Sequence, residues 1–462
     1  MNIGNLKFLV LIAALTYLPT LAFYYVGEEA IFPITSLEMW QRQDWIRQHL
    51  FGLNVQHNPL FNWMIIPFAT LIGWEYVLPV TRALTVAATL ATGAMVGWLA
   101  LRLLRDAAFA WFAALVYLTL ADVLMYRGWL AYVDPLFGFF VFAAIALLWV
   151  ACEERRPGLI ALAVLSLTCA FMSKAFTAYV FYGGAALVLI MQPQRRRVLL
   201  GAPSLLLHAA AALAPVAWLS SLPATSGQGM RMFNEMLVKL MPRGVFEYLQ
   251  HLAGYPAETA LRLSPAILLV AYFAWQRRIA VDAGVAPHLK TALWIAFLGY
   301  LPYWLSPHGA IRYLMPIYPL AGFALALLLW SAGDAARRST RQWLAGMIAL
   351  KLVAAVILFP YYQHQYRGEN YALAARDIIE RASGHPLYTM ADTASGLSVA
   401  GYIDARWRQE DPIQWPPEAW STGFVIAEEA DPAIGDISAR FKLGGDELFL
   451  LCRGAACAGP AR

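Results

Sequence analysis

The sequence predicts a mainly α, polytopic membrane protein of about eleven transmembrane helices, followed by a small C-terminal α/β domain. Three observations carry that prediction. Of 462 residues, 60% are hydrophobic and only 14% charged, whereas a soluble domain carries roughly a quarter charged residues. Apolar runs of bilayer-crossing length, about 20 residues each, recur from residue 8 to residue 360. Beyond that point the composition turns abruptly polar.

Spans are expected near residues 6–26, 77–101, 107–125, 134–152, 158–173, 175–191, 198–219, 261–276, 291–306, 314–332 and 343–360. The first follows Lys7 and is read as a retained span, since no small-x-small cleavage pattern follows it. Basic residues gather at Arg102/Arg105, Arg155/Arg156, Arg195–Arg197, Arg277/Arg278 and Arg337/Arg338/Arg341, in every second loop. Cytoplasmic loops hold that excess, so residues 27–76, 220–260 and the tail are expected on the opposite face. The formal net charge of +5 therefore gives no reason to expect nucleic acid.

The loop 27–76 reads as two helices lying on the membrane. Pro33 suits a first turn, and Ile34, Leu37 and Trp40 or Gln41 recur at helical spacing, with Arg42, Asp44 and Arg47 turned to water. The second helix opens at "NPLFNWMIIP", where Asn58 can cap and Pro59 suits the first helical position. Loop 220–260, with "MRMFNEMLVKLMPRGVFEYLQHL", is amphipathic and is expected to cover a lateral opening. In the tail, "NYALAARDIIERA" predicts a helix, while "PLYTMAD", "GFVIAEE" and "ELFLLCR" predict strands. Two domains are expected: a transmembrane domain over 1–360 and an α/β domain over 361–462. Cys152 and Cys169 fall in spans as apolar fillers. Cys452 and Cys457 lie close enough in the tail to form a disulfide if the compartment is oxidising.

Several residues on the outer face could do chemistry, each with a plainer alternative. Glu28-Glu29 follows the first span; two adjacent acids at a low-dielectric edge suit a proton acceptor, or simply end the span in water. Asp134 opens a span ahead of Pro135, which is also good helix-starting chemistry; Arg127 stands near enough in sequence to pair with it. Lys174, in "FMSKAFTAYV", and Arg312, in "SPHGAIRYLMPIYPL", are cations at span ends that could hold a phosphate or merely snorkel. His57 stands at a helix N-terminus, where N–H groups attract anions. Together these place carboxylates and cations on one membrane face, the combination that sugar transfer from a lipid phosphate requires. Glu28, Glu29, His57 and Asp134 also offer oxygen and nitrogen ligands to a divalent metal. No spacing motif enforces one, so no cofactor is assigned.

Over roughly residues 5–360 the chain resembles the GT-C membrane glycosyltransferases. It is most like the bacterial branch related to protein O-mannosyltransferases and the lipid A aminoarabinose transferase. The family's acidic pair and following helix are matched by Glu28-Glu29 and "LEMWQRQDW", and its "KPPLYYW" motif by "HNPLFNW". Its span-opening Arg is matched by Arg82, its second-loop acid by Asp134, its "TKG" turn by "MSKAF", and its "RYLLPIYPALAL" by "RYLMPIYPLAGF". The resemblance implies that Glu28, with Glu29 and Asp134, forms the catalytic group. It also implies that Lys174, Arg312, His57, Asn58 and Tyr313 approach the donor phosphate. Two departures stand out. The family's catalytic Asp is Glu28 here, a longer arm, and the Lys of "KPP" is His57, largely neutral at pH 7 given a reference pKa of about 6.5.

The resemblance further implies an inverting, polyprenyl-phosphate-sugar-dependent glycosyltransferase of the bacterial inner membrane, acting as a monomer with its active site toward the periplasm. The donor would be an undecaprenyl-phosphate sugar. The acceptor would be a glycolipid such as lipid A, a polysaccharide or a protein of the cell envelope. The alternatives are a transporter, flippase or polymerase of lipid-linked sugars. A transporter should carry ionisable residues or broken helices at mid-membrane, whereas the charges in this chain fall mainly at span ends.

Overall fold

The computed structural model describes residues 2–55, 57–223, 230, 234, 237–238, 241 and 244–458. Most of "MRMFNEMLVKLMPRG" therefore lies outside the described residues, while the helix that follows, Val245–Arg262, lies within them. Among the described residues, six helices are long and apolar enough to cross a membrane: Ile3–Ala22, Trp74–Leu104, Asp134–Glu154, Ala202–Ser221, Ile311–Ser331 and Asp334–Gln365. A seventh arises if Val245–Arg262 and Ala266–Trp275, bent by 99°, count as one span. The protein is a multi-pass membrane protein.

The expectation of eleven spans is corrected to six or seven. The run at 291–306 lies in a helix of spanning length, Ala286–Leu305, that is too polar to count among them, with His288 and Lys290 near its start. The runs at 107–125, 158–173 and 175–191 do form apolar helices, Ala107–Leu118, Gly158–Ser173 and Thr177–Ile190. At 1.5 Å per residue they reach only about 18–24 Å, short of a core of about 30 Å. Ala107–Leu118 ends where the chain enters a π-type turn, Asp122–Arg127. Apolar composition alone could not locate that break.

The chain divides into two compact units. The first comprises Met1–Tyr17, Thr85–Trp129 and Val133–Leu352. Its central helix, Asp134–Glu154, is apolar on every side, and such a helix belongs inside a bundle; Phe142, Ile145 and Trp149 are fully buried. Around it pack Gly158–Ser173, Thr177–Ile190 and the Ile311–Ile317 turn. Close packing of that turn depends on Gly299, where an added Cβ would stand 2.7 Å from Ile317 and 3.0 Å from Phe181.

The second unit comprises Leu18–Leu84, Leu130–Tyr132 and Val353–Arg462. Its helix Ile31–Arg42 buries Ile34 and Leu37 as the spacing predicts, with Trp40 and Gln41 only half-buried, but Thr35, Ser36, Glu38 and Met39 are buried too. The helix is covered on more than one face. It stops at Arg42, because Gln43 adopts a left-handed conformation; Asp44 and Arg47 therefore lie beyond the helix instead of on its water face. A short hairpin follows, β1 (His49–Leu50) with β2 (Leu53–Asn54).

The C-terminal part of this unit holds the helices Glu369–Ala382 and Ala394–Trp407. It also holds a four-stranded sheet of β3 (Leu387–Thr389), β4 (Gly423–Ala427), β5 (Asp436–Leu443) and β6 (Asp446–Arg453). The order is β3-β4-β6-β5, with only β3 and β4 parallel. Three strands and the first helix were expected from the sequence. β5 was not, since "DISARFKL" lies largely exposed beside β6 and shows no buried apolar alternation. Ile34, Ile378, Ile403, Ile426 and Leu450 share one core. Cys452 and Cys457 form a disulfide with Cα atoms 5.2 Å apart, inside the reach of about 7 Å that such a bond requires.

Candidate functional site

Each unit carries part of the predicted set. In the second, Gly27 turns the chain with φ +60°, and an added Cβ would stand 2.8 Å from the Tyr132 hydroxyl. The turn sends its two acids opposite ways. Glu29 is completely buried. Its carboxylate accepts from Val26 N–H at 2.8 Å, Ala131 N–H at 2.6 Å, Arg82 Nε at 2.9 Å and Arg82 Nη2. Arg82, equally buried, also donates to the carbonyls of Thr20, Phe23 and Tyr24. Glu28 is exposed, and its N–H donates to the Tyr132 hydroxyl at 3.0 Å. The two acids do not share one environment: Arg82 neutralises Glu29, and Glu28 meets solvent.

His57 is half-buried and Asn58 buried. The helix begins at Leu60 with Pro59 as its N-cap and no side-chain cap bond, so Asn58 sits one position outside the expected capping place. The Asn58 carbonyl instead accepts from Gln48 Nε2 at 2.9 Å. Gln48 also donates to Asn62, which in turn donates to Thr35 and Ser36. This buried uncharged network fixes the segment carrying His57.

In the first unit, Asp134 is the first residue of its helix, with Pro135 next. It pairs with Lys174 Nζ. The earlier pairing of Asp134 with Arg127 is thereby corrected: Arg127 Nε approaches Asp122 Oδ2 at 3.4 Å. Lys174 closes the helix Gly158–Ser173 and stands over the rings of Tyr313, at 5.0 Å, and Phe137, at 5.7 Å. Arg312 lies over the same Tyr313 ring at 5.4 Å. Three segments distant in sequence thus bring Asp134, Lys174, Arg312 and Tyr313 together. Arg312 also lines a cavity of about 420 Å³ with Arg127, Arg262, Glu258, His251 and Tyr255. Three guanidinium groups on one cavity can hold an anion with several oxygens. Among the described residues, no group of three or more His, Cys, Asp or Glu is arranged to hold a metal ion.

Over the whole of both chains, the structure is similar to the crystal structure of ArnT from Cupriavidus metallidurans bound to undecaprenyl phosphate, with a TM-score of 0.75 at 14% identity. The fold is that of ArnT. The apo ArnT structure gives a TM-score of 0.69 at 13% identity, over 99% of each chain. Among curated proteins, the chain is 27% identical over 369 residues to an undecaprenyl phosphate-alpha-4-amino-4-deoxy-L-arabinose arabinosyl transferase 2 of Pseudomonas fluorescens, covering 74% of this chain and 63% of that protein. It is 26% identical over 177 residues to the corresponding transferase of Yersinia enterocolitica, covering 37% of this chain and 32% of that protein. The chain thus spans about a third to about two thirds of the length of these curated relatives. No family model matches the sequence.

Within the ArnT-like fold, sequence reasoning missed Asp122 and Arg262. Asp122 is nearly buried and receives Arg262 Nη1 at 2.6 Å and the Tyr318 hydroxyl at 3.0 Å, besides Arg127. Arg262 also clasps Glu258, with Nη2 to Oε1 at 2.7 Å. The signal was present: Asp122 is a lone acid in the apolar stretch "LTLADVLM", where a charge is costly unless it has a task or a partner.

Proposed function

We propose that this protein is a glycosyltransferase that moves a sugar from undecaprenyl phosphate to an acceptor in the cell envelope. The observation that supports it most directly is the convergence of Lys174, Tyr313 and Arg312 beside an arginine-lined cavity. In the transfer, an acceptor oxygen attacks the anomeric carbon as the bond to the donor phosphate breaks, inverting the configuration. The lipid phosphate leaves with added negative charge. Lys174 and Arg312 stabilise that charge, with His57, Asn58 and Tyr313 assisting the approach of the phosphate. Glu28 takes the proton of a hydroxyl acceptor, while Glu29 and Asp134 hold Arg82 and Lys174 in place. If the acceptor is itself a phosphate, as on lipid A, Glu28 orients it and no base is needed.

In this reading the protein is a monomer of the bacterial inner membrane with its chemistry at the periplasmic face. Residues 1–360 form the catalytic domain and 361–462 a periplasmic domain. The relatives' names supply the first donor to try, undecaprenyl-phosphate-linked 4-amino-4-deoxy-L-arabinose. Detergent-purified protein supplied with that donor and lipid A should release undecaprenyl phosphate and yield a glycosylated product by mass spectrometry. A panel of other undecaprenyl-phosphate sugars and acceptors follows if it does not. No transfer from any of them would overturn the reading.

A second reading, a carrier of lipid-linked sugars, draws on two structural features. Lys351 is buried in the helix Asp334–Gln365 under the rings of Trp129 and Tyr17, and one helix pair is sharply bent. Donor translocation in proteoliposomes without transfer would favour it.

A further inference from the structure

Two hollows in the C-terminal part of the second unit share a wall. One, of about 970 Å³, opens between β3 and residues 406–414; the other, of about 580 Å³, opens beside the helix Glu369–Ala382. Arg406 and Trp407, at the end of the helix Ala394–Trp407, line both. Trp407 is 42% exposed and so presents its indole to the hollows. Arg406 lies over the Tyr402 ring at 5.2 Å and forms no ion pair among the described residues.

The rim of the larger hollow is held in place. Arg408 Nε donates to the Asp411 carbonyl at 2.8 Å, its Nη1 to the Leu387 carbonyl at 3.3 Å, and its Nη2 pairs with the Asp411 carboxylate. Gln409 Nε2 donates to the Ala405 carbonyl at 2.6 Å. Gln414 bridges to Tyr388, and its carbonyl accepts Thr389 N–H at 3.1 Å. That bridge occupies the outer edge of β3, so an extended peptide has no free edge there to join.

The remaining chemistry is an exposed indole beside planar groups that donate or accept: Arg406, Gln409 and Glu410. Charges in the larger hollow balance, Arg406 and Arg408 against Glu410 and Asp411, which speaks against a polyanion. A saccharide is complementary to this arrangement. Its C–H face lies on an aromatic ring, and its hydroxyls donate and accept at once. The volumes suit a small ligand, for which sites run to about 300–1,000 Å³. We propose that the two hollows flanking Arg406 and Trp407 form a saccharide-binding site on the tail domain, built from residues other than those proposed for transfer.

The test is binding, not turnover. The 462-residue protein in detergent is titrated, by isothermal calorimetry, with maltotriose, chitotriose, a chitosan trimer and trigalacturonate. Saturable binding of at least one is expected, weakened about tenfold or more by Trp407→Ala and by Arg406→Gln, with unfolding temperatures unchanged and binding largely kept in Trp407→Phe. Lys174→Ala, which should lose transfer, should bind the same saccharide as the native chain does, so the two readings fail separately. Absence of binding up to ~10 mM of every probe, equal binding in both variants, or binding of trigalacturonate alone that disappears with added salt would overturn the proposal.

Discussion

Glu28 and Glu29 are consecutive in the chain, yet Glu29 is locked inside the second unit by Arg82 while Glu28 faces solvent. Their substitutions should separate accordingly. Glu29→Gln leaves the Arg82 guanidinium buried without its counter-charge, a loss of about 3–5 kcal/mol for a broken buried pair. Denaturant unfolding in micelles should show it, and Glu28→Gln should leave the midpoint in place. Equal midpoints for native protein and Glu29→Gln would refute the assignment of Glu29 as an anchor.

Turnover should show the opposite pattern. If Glu28 accepts the proton of a hydroxyl acceptor, Glu28→Gln should lower kcat by about 10²–10⁴-fold, the range of general-base catalysis. Donor affinity should hold. A much smaller loss, with a phosphate-bearing acceptor, would identify an orienting role.

Lys174→Ala and Arg312→Ala should weaken both donor binding and turnover. A charged hydrogen bond contributes about 1.5–3 kcal/mol, so each should lower affinity by roughly 10- to 150-fold. Lys174→Arg keeps the charge opposite Asp134 and should recover part of the loss. Native donor affinity in both alanine variants would mean that these cations only brace the helices.

Stability should depend on pH through Glu38. Burial pushes its carboxyl up to about 7, against the lowering effects of the Gly52 N–H and of Arg42. Asp404 is pushed well above the ordinary carboxylate range, first by burial and also by the charge of Glu38, with Ile413 N–H and Arg408 opposing and Asp411 adding to it. Because the folded pKa of Glu38 lies above its unfolded value, the native state holds the extra proton between them. The stabilisation is complete below the unfolded pKa and is lost as pH rises toward 7, on the order of 3 kcal/mol for a shift of this size. Glu38→Gln should therefore gain stability over native protein at pH 8 and not at pH 4. Parallel pH profiles for the two proteins would contradict it.

Orientation can be read by thiol labelling. Asp392 and Arg338 are both exposed, and only the latter belongs to an arginine-rich loop. In intact spheroplasts, a cysteine at 392 should react with an impermeant maleimide and one at 338 only after lysis. The reverse pattern would place the tail in the cytoplasm.

The broad fold was legible because burial in lipid and helix periodicity act locally: membrane spans, Pro33 in a first turn and the tail's apolar strands all leave short-range marks. The turn at Lys174 was found for the same reason. What escaped depends on distant partners. Asp134 pairs with Lys174 and not with Arg127, forty residues away instead of seven. Arg262 reaches Asp122 across 140 positions. Nothing in the neighbourhood of Glu29 reveals that Ala131 will donate to it. Three of the expected spans failed on length, because an apolar run records solvent preference and not where a helix will end, as at the π-type turn that follows Ala107–Leu118.

The division of labour between the two acids bears on how this protein could change over evolutionary time. Arg82 and its carbonyl partners hold the turn through position 29, so position 28 is relieved of structural duty. A side chain there can be exchanged, lengthened or shortened without first unlearning the fold. Under the proposed role of Glu28 at the acceptor, that freedom makes position 28 the place to begin redesigning acceptor choice.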